Sequence, residues 1–431
     1  MAKRPVVAIA SVADIQSDAS IEEALREAVS LSCDLAAICG DKNVVLKPNV
    51  YCPNPAPVTT DPRVIASLIR LAKEAGARKV TVAEGRSIST ALFRKHANTT
   101  RACFEAVGMD RAAIDNGAHV VYLEEDEFVE VSDEEAIVLK TAHVARTIHE
   151  AEVLINVPVL KNHSLTLTTL GIKNLHGAVS DEDKLFGHDY HHIPQKLVDI
   201  LRYLRPALTI IDGTRGLEGD HADMGRPVDT KVIIAGADTV AVDAVGEAVM
   251  GLDNLEVDTT RLAHEQRLGV GDIGGVDVVG AGLDDVRFPF ARPDIAISEE
   301  RFPGLRIRAG DYCKGCEYYI RRGVDRMAQE GILDKNDPLT LVFGKDPEVE
   351  ADIKGRVVLI GDCALASDSV KRLRNRLWLT GRLKVVYCCP PMEFRMRALE
   401  LAGDRIDCGL RTVEHRLWDV GPVKTRRPDC L

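Results

Sequence analysis

The sequence predicts an α/β protein of two domains. The larger, residues 1–295, is a mostly parallel sheet flanked by helices, and the smaller, residues 300–431, is a C-terminal α/β domain carrying a cysteine-ligated metal site. Three observations lead there. Short β-branched runs alternate with helix-length segments from residue 6 onward, as in repeated β-α units. Polar residues recur just past the carboxyl ends of these runs, where open parallel sheets bind their ligands. In the last third, cysteines stand at the ends of apolar runs and at the start of a helix. At 431 residues the chain exceeds one ordinary core, so more than one domain is expected.

Taken in order, Val6–Val12 reads as the first strand, and Ser20 with Glu23 forms a capping-box pattern opening a helix that Gly40 closes. Val44–Lys47 is the next strand, running into Pro48 and Asn49. Asp61 and Pro62 supply an N-cap and a first-turn proline for a helix that ends at Gly76. Lys79–Ala83 is a strand ending at Glu84, helices fill 99–114, and His119–Leu123 is another strand. The acidic run Glu124–Glu135 reads as a solvated face. Val153–Val159 is a buried strand leading into KNHSLTLTTLGIKNLHG, residues 161–177, with a helix expected over Ser164–Leu175 and Gly177 as its stop. His188, His191 and His192 follow, then a helix to Leu204 and a strand at Ala207–Ile211. Thr214–Arg226, rich in glycine and carrying Glu218, Asp220, His221 and Asp223, is expected to be a long functional loop. Lys231–Ala235 is a strand, Asp238 caps a helix at Thr239–Met250 in which Asp243 stands on an otherwise small apolar surface, another helix covers 257–267, and Asp277–Val279 is a last short strand. RFPFARPDI, residues 287–295, is the expected connector between domains.

Composition bounds the partners. The apolar runs fall well short of the roughly 20 residues of a membrane span, so no membrane span is expected. A net charge of −11 argues against a general nucleic-acid surface, which needs a basic face. The N-terminal apolar run is interrupted by Asp14 and no cleavage pattern follows, which points to a cytoplasmic protein. Eleven cysteines without a secretion signal then read as reduced thiols or metal ligands.

Lys47, Asn49, Glu84, Lys161, His163, Asp212 and Asp238 all lie just past predicted strands, so the sheet would gather them at one edge. Asp61 and Asp238 are accounted for as helix caps. Lys47, Lys161 and Lys173 in one crevice would attract a carboxylate or phosphate, and a crowded lysine can act as base or nucleophile. His163 and His176 can move protons or bind metal. The candidate catalytic set is therefore Lys47, Lys161, His163, Lys173 and His176, and the candidate substrate-binding set Asn49, Glu84, Asn174, His188, Asp212 and Glu218. The expected ligand is a small anionic molecule. The glycine-rich stretches lack G-x-G-x-x-G spacing, so neither NAD nor FAD is predicted.

LKPNV at 46–50, INVPVLKNH at 155–163, LGIKNLHG at 170–177, IIDGTRGLEG at 210–219, GRPVDT at 225–230 and GADTVAVDAVGEAVMG at 236–251 resemble, in order, the blocks of family 362 among the domains of unknown function, over roughly residues 5–285. That family is in turn similar, more distantly, to the N-terminal part of the lactate racemase superfamily, whose members use a nickel pincer cofactor. Many of its members carry ferredoxin-type motifs, so the resemblance implies iron–sulfur chemistry.

The last third departs from that pattern, having no C-x2-C-x2-C-x3-C-P run. It has Cys313 and Cys316 before a helix at Glu317–Gln329, Cys363 after a strand at Val357–Ile360, and Cys388-Cys389-Pro390-Pro391 after a run at Val385–Tyr387. Cys313, Cys316, Cys363 and Cys389 meeting at one point would hold a [4Fe-4S] cluster, with zinc as the alternative and unmetallated thiols as the third reading. One close pair joined to two single positions and a Cys-Pro-Pro ending favours the cluster, and Cys389 abuts the prolines whereas Cys388 points to the opposite side of its strand. Between these cysteines, Lys371, Arg372, Arg374, Arg376, Arg382 and Lys384 form a basic patch on which an acidic electron carrier could dock, although a solvated helix face is its commoner meaning. Three functions follow: a cluster-dependent oxidoreductase or electron-transfer protein acting on a small anionic substrate or cofactor, a non-redox lyase or isomerase of racemase-like kind, or a cluster carrier or assembly protein. Neither the substrate nor the oligomeric state is written in the sequence.

Overall fold

A computed structural model describes residues 4–87, 99–220, 225–350 and 352–387. The chain divides into two compact units, Met1–Asp294 and Ile295–Leu431.

In the first unit the strands are β1 (Val6–Ser11), β2 (Asn43–Pro48), β3 (Lys79–Glu84), β4 (His119–Tyr122), β5 (Phe128–Ser132), β6 (Thr141–Ala145), β7 (Val153–Val157), β8 (Val159–His163), β9 (Leu167–Thr168), β10 (Leu208–Gly219), β11 (Gly225–Val228), β12 (Val232–Gly236) and β13 (Asp277–Gly280). Their main sheet runs β13-β1-β12-β10-β7-β2-β3-β4, with β8, β9 and β11 attached at β10. It is mixed but mostly parallel: β12 is antiparallel to both β1 and β10, while β10, β7, β2, β3 and β4 all run the same way. Helices cover both faces because the strands alternate their apolar side chains. Ile210 and Ile233 join the core formed with helices Asp18–Ser32 and Pro62–Glu74, and Ile211 and Ile234 join the core formed with helix Thr239–Val249.

The strand order reverses at β2. From β2 the chain moves outward through β3 to β4, then returns to β7 on the other flank of β2. Such a reversal leaves a crevice beyond the carboxyl ends of the two central strands. Lys47 and Pro48 at the end of β2 lie opposite Asn156 and Val157 at the end of β7.

Three sequence expectations are corrected and two are refined. The helix expected from Ser20 to Gly40 is two helices: Ser17 caps Asp18–Ser32, Asp34 caps Leu35–Cys39, and the Ser20 hydroxyl instead accepts from the Asp14 N–H. Ser164–Leu175 is not one helix, because Leu167–Thr168 folds back on β8 before a single turn at Gly171–Asn174. Thr214–Gly219 is strand, since β10 runs on and pairs with β11. Its glycines mark close approach: a Cβ on Gly213 would lie 2.8 Å from the Val232 carbonyl, and one on Gly216 would strike the Phe290 ring. His221 and Asp223 lie outside the described residues. The expected connector is bound to the first unit as far as Asp294, with Phe288 and Phe290 N–H donating to Val249 and Met250 carbonyls. The acidic run, read as a solvated face, contains the strand β5, paired with β6.

The second unit is a four-stranded parallel sheet, β14 (Leu305–Ala309), β15 (Leu339–Phe343), β16 (Arg356–Ile360) and β17 (Leu383–Val386), in that order. Helix Lys314–Gln329 packs one face through Ile320, Val324 and Met327, and helix Asp368–Leu377 packs the other through Val370, Leu373 and Leu377. Among the described residues no helix is long and apolar enough to cross a membrane.

Asp199, fully buried on helix Ile193–Tyr203, accepts from the backbone N–H groups of Ile137, Val138 and Leu139 at 3.2, 2.7 and 2.9 Å. Removing it strands buried donors, each costing about 1–3 kcal/mol. Asp199→Ala is therefore expected to lose about 3 kcal/mol or more, measured by urea unfolding, whereas Asp199→Asn keeps part of that stability.

Candidate functional site

The crevice is built from residues that each strand end delivers. Lys47 leaves β2 and meets Glu84 at the end of β3, Nζ to Oε1 2.8 Å, with both side chains buried. Glu84 also accepts from the N–H groups of Gly85 and Val50 at 2.9 and 3.3 Å. Burial pulls Lys47 below the ordinary lysine range, and the Glu84 carboxylate opposes it. Gly177 lies against this pair: a Cβ there would strike Glu84 Oε1 and come within 2.9 Å of Lys47 Nζ.

Three asparagines lock the 171–177 segment to the strand ends. Asn174 accepts from Asn49 Nδ2 at 2.9 Å and donates to Asn156 Oδ1 at 2.8 Å, while Asn156 donates to the Gly171 carbonyl at 2.9 Å. Lys161, fully buried at the end of β8, donates to Asn49 Oδ1 at 2.5 Å and to the Val58 carbonyl at 2.7 Å, with its Nζ 4.6 Å from the Tyr51 ring centre. Burial pushes Lys161 down to about 7, a Cys52 thiolate would offset that shift, and Lys173 adds to it.

Lys173 is half-buried and, among the described residues, has no hydrogen-bond or carboxylate partner; burial alone brings it to about 8. One turn on, His176 is buried and its Nε2 has no partner. Burial, with Lys196 and His188 nearby, holds it well below the usual histidine range, so it is neutral. The His188 ring lies 5.4 Å from the His176 ring. Sequence reasoning missed two more buried lysines. Lys184 Nζ is 3.8 Å from Asp181, and Lys196 donates to the carbonyls of Asp183, Lys184 and Phe186 at 3.0, 2.8 and 2.7 Å. Lys196 had a signal: it stands in the apolar stripe Ile193, Lys196, Leu197, Ile200.

Asp243 was also missed as a positioning residue. It clips the turn that presents Lys173, Asn174 and His176, accepting from Gly171 and Ile172 N–H groups at 2.7 and 2.8 Å, and burial raises it to about 7. A Cβ on Gly171 would lie 2.7 Å from Asp243 Oδ1, so glycine is required for that approach.

The structure thus brings Lys47, Asn49, Glu84, Lys161, Lys173, Asn174, His176 and His188 into one neighbourhood. Three candidates serve the scaffold. His163 Nδ1 accepts from Leu165 and Thr166 N–H groups at 3.1 and 3.3 Å, shaping the turn after β8. Asp212 accepts from Asp61 N–H at 2.8 Å and from the Thr214 hydroxyl at 2.7 Å, and burial raises it to about 6. Glu218 pairs with Arg226 and accepts from Ala291 N–H at 2.7 Å. Asp61 and Asp238 cap helices.

In the second unit Cys313 caps helix Lys314–Gln329, Cys316 is buried in its first turn, and Cys363 lies in the short helix after β16. The Cys316 thiol is hydrogen-bonded to those of both Cys313 and Cys363, and these contacts together with burial raise it strongly. Cys363 is held down to about 7 by the Cys316 thiol and by the backbone N–H of Ala364. The three are placed as hydrogen-bonded neighbours, and among the described residues no group of three or more His, Cys, Asp or Glu is arranged to hold a metal ion. Cys388 and Cys389 lie outside the described residues.

Fold and site define an α/β protein with a cluster of buried lysines at a sheet switch point. Residues 44–248 match the model of the family described as Domain of unknown function (DUF362). The chain is similar to thylakoid-associated protein sll1697 of Synechocystis sp., at 25% identity over 272 residues, 61% of this chain and 77% of that protein. Among solved structures it is loosely similar to the lactate racemase apoprotein from Thermoanaerobacterium thermosaccharolyticum, at 10% identity and a TM-score of 0.36, covering 90% of this chain and 84% of that one.

Breaking one half of a buried pair is expected to cost more than removing both. Lys47→Met leaves the Glu84 charge uncompensated and is expected to lose about 3–5 kcal/mol, while Lys47→Met/Glu84→Gln recovers most of it, as read by urea unfolding. A pH series gives a second check. Lys161 and Lys173 titrate at about 7 and about 8 in the folded chain but near 10.4 when unfolded, so the unfolded chain holds more protons between those values and stability rises with pH there. Unfolding free energies measured from about pH 7 to about pH 10 are expected to show that rise, flattened in Lys173→Gln.

Proposed function

We propose that this chain is a metal–thiolate protein whose larger unit binds a small anion at the lysine cluster, and that it acts as a redox enzyme or electron-transfer protein. Cys313, Cys316, Cys363 and Cys389 would hold a [4Fe-4S] cluster, with zinc as the alternative. The observation that carries this reading is the Cys316 thiol hydrogen-bonded to those of Cys313, at the start of the same helix, and Cys363, in the short helix after β16. An all-thiol donor set of soft sulfur ligands suits iron–sulfur clusters and zinc. A cluster held there would supply one-electron transfer.

The remaining work falls to the chain's own side chains. Lys161 and Lys173 bind negative charge, and the neutral His176 can exchange a proton with a bound molecule. Gly177 packs against the Lys47–Glu84 pair, and Gly85 against the Gly177 carbonyl and Lys184 Nζ. A reducing, cytoplasmic compartment fits the cysteines, since all seven in the described residues are free of disulfides. An acidic electron carrier is supported by Arg372, Arg374 and Arg376, which among the described residues have no carboxylate partner.

A second reading, a lyase or isomerase without redox chemistry, is favoured by one observation: two lysines held at about 7 and about 8 are poised to take a proton near neutral pH. Anaerobic purification with iron, sulfide and zinc analysis tests the first reading. About four iron and four sulfide per chain are expected, lost in Cys316→Ser. About one zinc without sulfide would select the alternative centre, and no metal after reconstitution would remove both. Turnover retained in full by Cys316→Ser would favour the second reading.

A further inference from the structure

Lysines around the 171–188 segment outnumber the carboxylates that pair with them. Lys47 has Glu84. Lys184 has Asp181 at 3.8 Å, shared with Arg86, while Glu84 and Glu124 act on it from farther away. The other nearby acids are committed: Asp183 accepts from His143 N–H and the Ser180 hydroxyl, Asp189 from His192, and Asp243 from two backbone groups. Lys196 is satisfied by three carbonyls, and Lys161 by an amide oxygen and one carbonyl. These contacts satisfy donors, and negative charge reaches the two lysines only from a distance, from Asp183 and Asp189 to Lys196 and from Glu84 to Lys161. Lys173 has neither.

His176 supplies an independent observation. Its Nε2 is enclosed and unpartnered, and burying such an atom is costly unless something bonds to it. Residues three apart on a tight helical turn share a face, so Lys173 and His176 look into the same space. A water molecule there would satisfy the imidazole but would bring no counter-charge to Lys173.

We propose that Lys173 and His176, backed by Lys161 and Lys184, seat a small dianionic oxyanion of the phosphate or dicarboxylate kind, and that its binding is completed by proton uptake. The inference rests on the small-anion reading above and sharpens it to a charge class. A dianion supplies the missing negative charge, and it draws protons onto lysines that burial has made reluctant to hold them. Lys161 from β8 and Lys196 from helix Ile193–Tyr203 feel the charge of Lys173, and His176 feels Lys173 together with Lys196, His188 and Lys184, so these groups respond together.

Isothermal titration calorimetry on the full chain, at constant ionic strength, would use inorganic phosphate, oxalate and acetate. Oxalate stays dianionic across the range and separates protein titration from that of phosphate. At least one dianion is expected to saturate, with heats in two buffers of different protonation enthalpy reporting uptake of about one proton, and with affinity falling about tenfold per pH unit above about 8. Lys173→Gln is expected to weaken binding about tenfold or more, and His176→Gln by less. Acetate binding as tightly as the dianions, without proton uptake, would overturn the dianion assignment and leave a simple anion site standing. Dianion binding unchanged in both variants would place the ligand elsewhere and overturn the proposal. Binding of none of the three would overturn this inference and the small-anion reading together, whatever the metal analysis returned.

Discussion

Removing a lysine from water is the constraint around which the larger unit is arranged. Each buried ammonium demands either a counter-charge, a full set of acceptors or the loss of its proton, and the crevice uses all three solutions side by side. Lys47 takes the counter-charge of Glu84, Lys196 takes three carbonyls, and Lys161 and Lys173 are displaced toward the neutral form. Much of the surrounding architecture follows from holding these groups in place.

The switch in strand order supplies the location and the short segment from Gly171 to Ala178 supplies the chemistry. That segment is too short to be stable as a helix by itself. It is held from three sides: by Asp243 at its N-terminus, by Asn156 and Asn49 along its length, and by the close contact of Gly177 with the Lys47–Glu84 pair. The spacing of Gly171, Lys173, Asn174, His176 and Gly177 therefore has a distinct physical reason at every position. The second unit solves a comparable problem with sulfur, bringing thiols from two helix starts together over a parallel sheet.

Glycine shows how one residue type can mislead. In Gly213, Gly216 and Gly219 it suggested a loop, yet the first two lie within β10 where a neighbouring strand or ring leaves no room for a Cβ, and only Gly219 takes a left-handed conformation. The same ambiguity hid the hairpin of β10 and β11. Ser20 misled for another reason: two hydroxyls three residues apart can each cap the same helix start, and only the three-dimensional path of the preceding turn chose Ser17.

By itself the sequence determined the alternation of strand and helix in the larger unit, because β-branched runs and capping residues are local signals whose physics needs no distant partner. It also carried a resemblance to one family, whose model matches residues 44–248, and gathered Lys47, Glu84 and Lys161 at strand ends, since a parallel sheet aligns those ends wherever it forms. Only the tertiary structure decided which polar groups face one another. Asp212 and Glu218 lie past or along a strand as Lys161 does, yet backbone donors absorb them into the scaffold while, among the described residues, the Lys173 amine and His176 Nε2 have no hydrogen-bond partner. A hydrogen-bond partner dozens of residues away leaves no trace in local pattern. Whether a buried polar residue is structural or available for chemistry is settled only when those partners are in place.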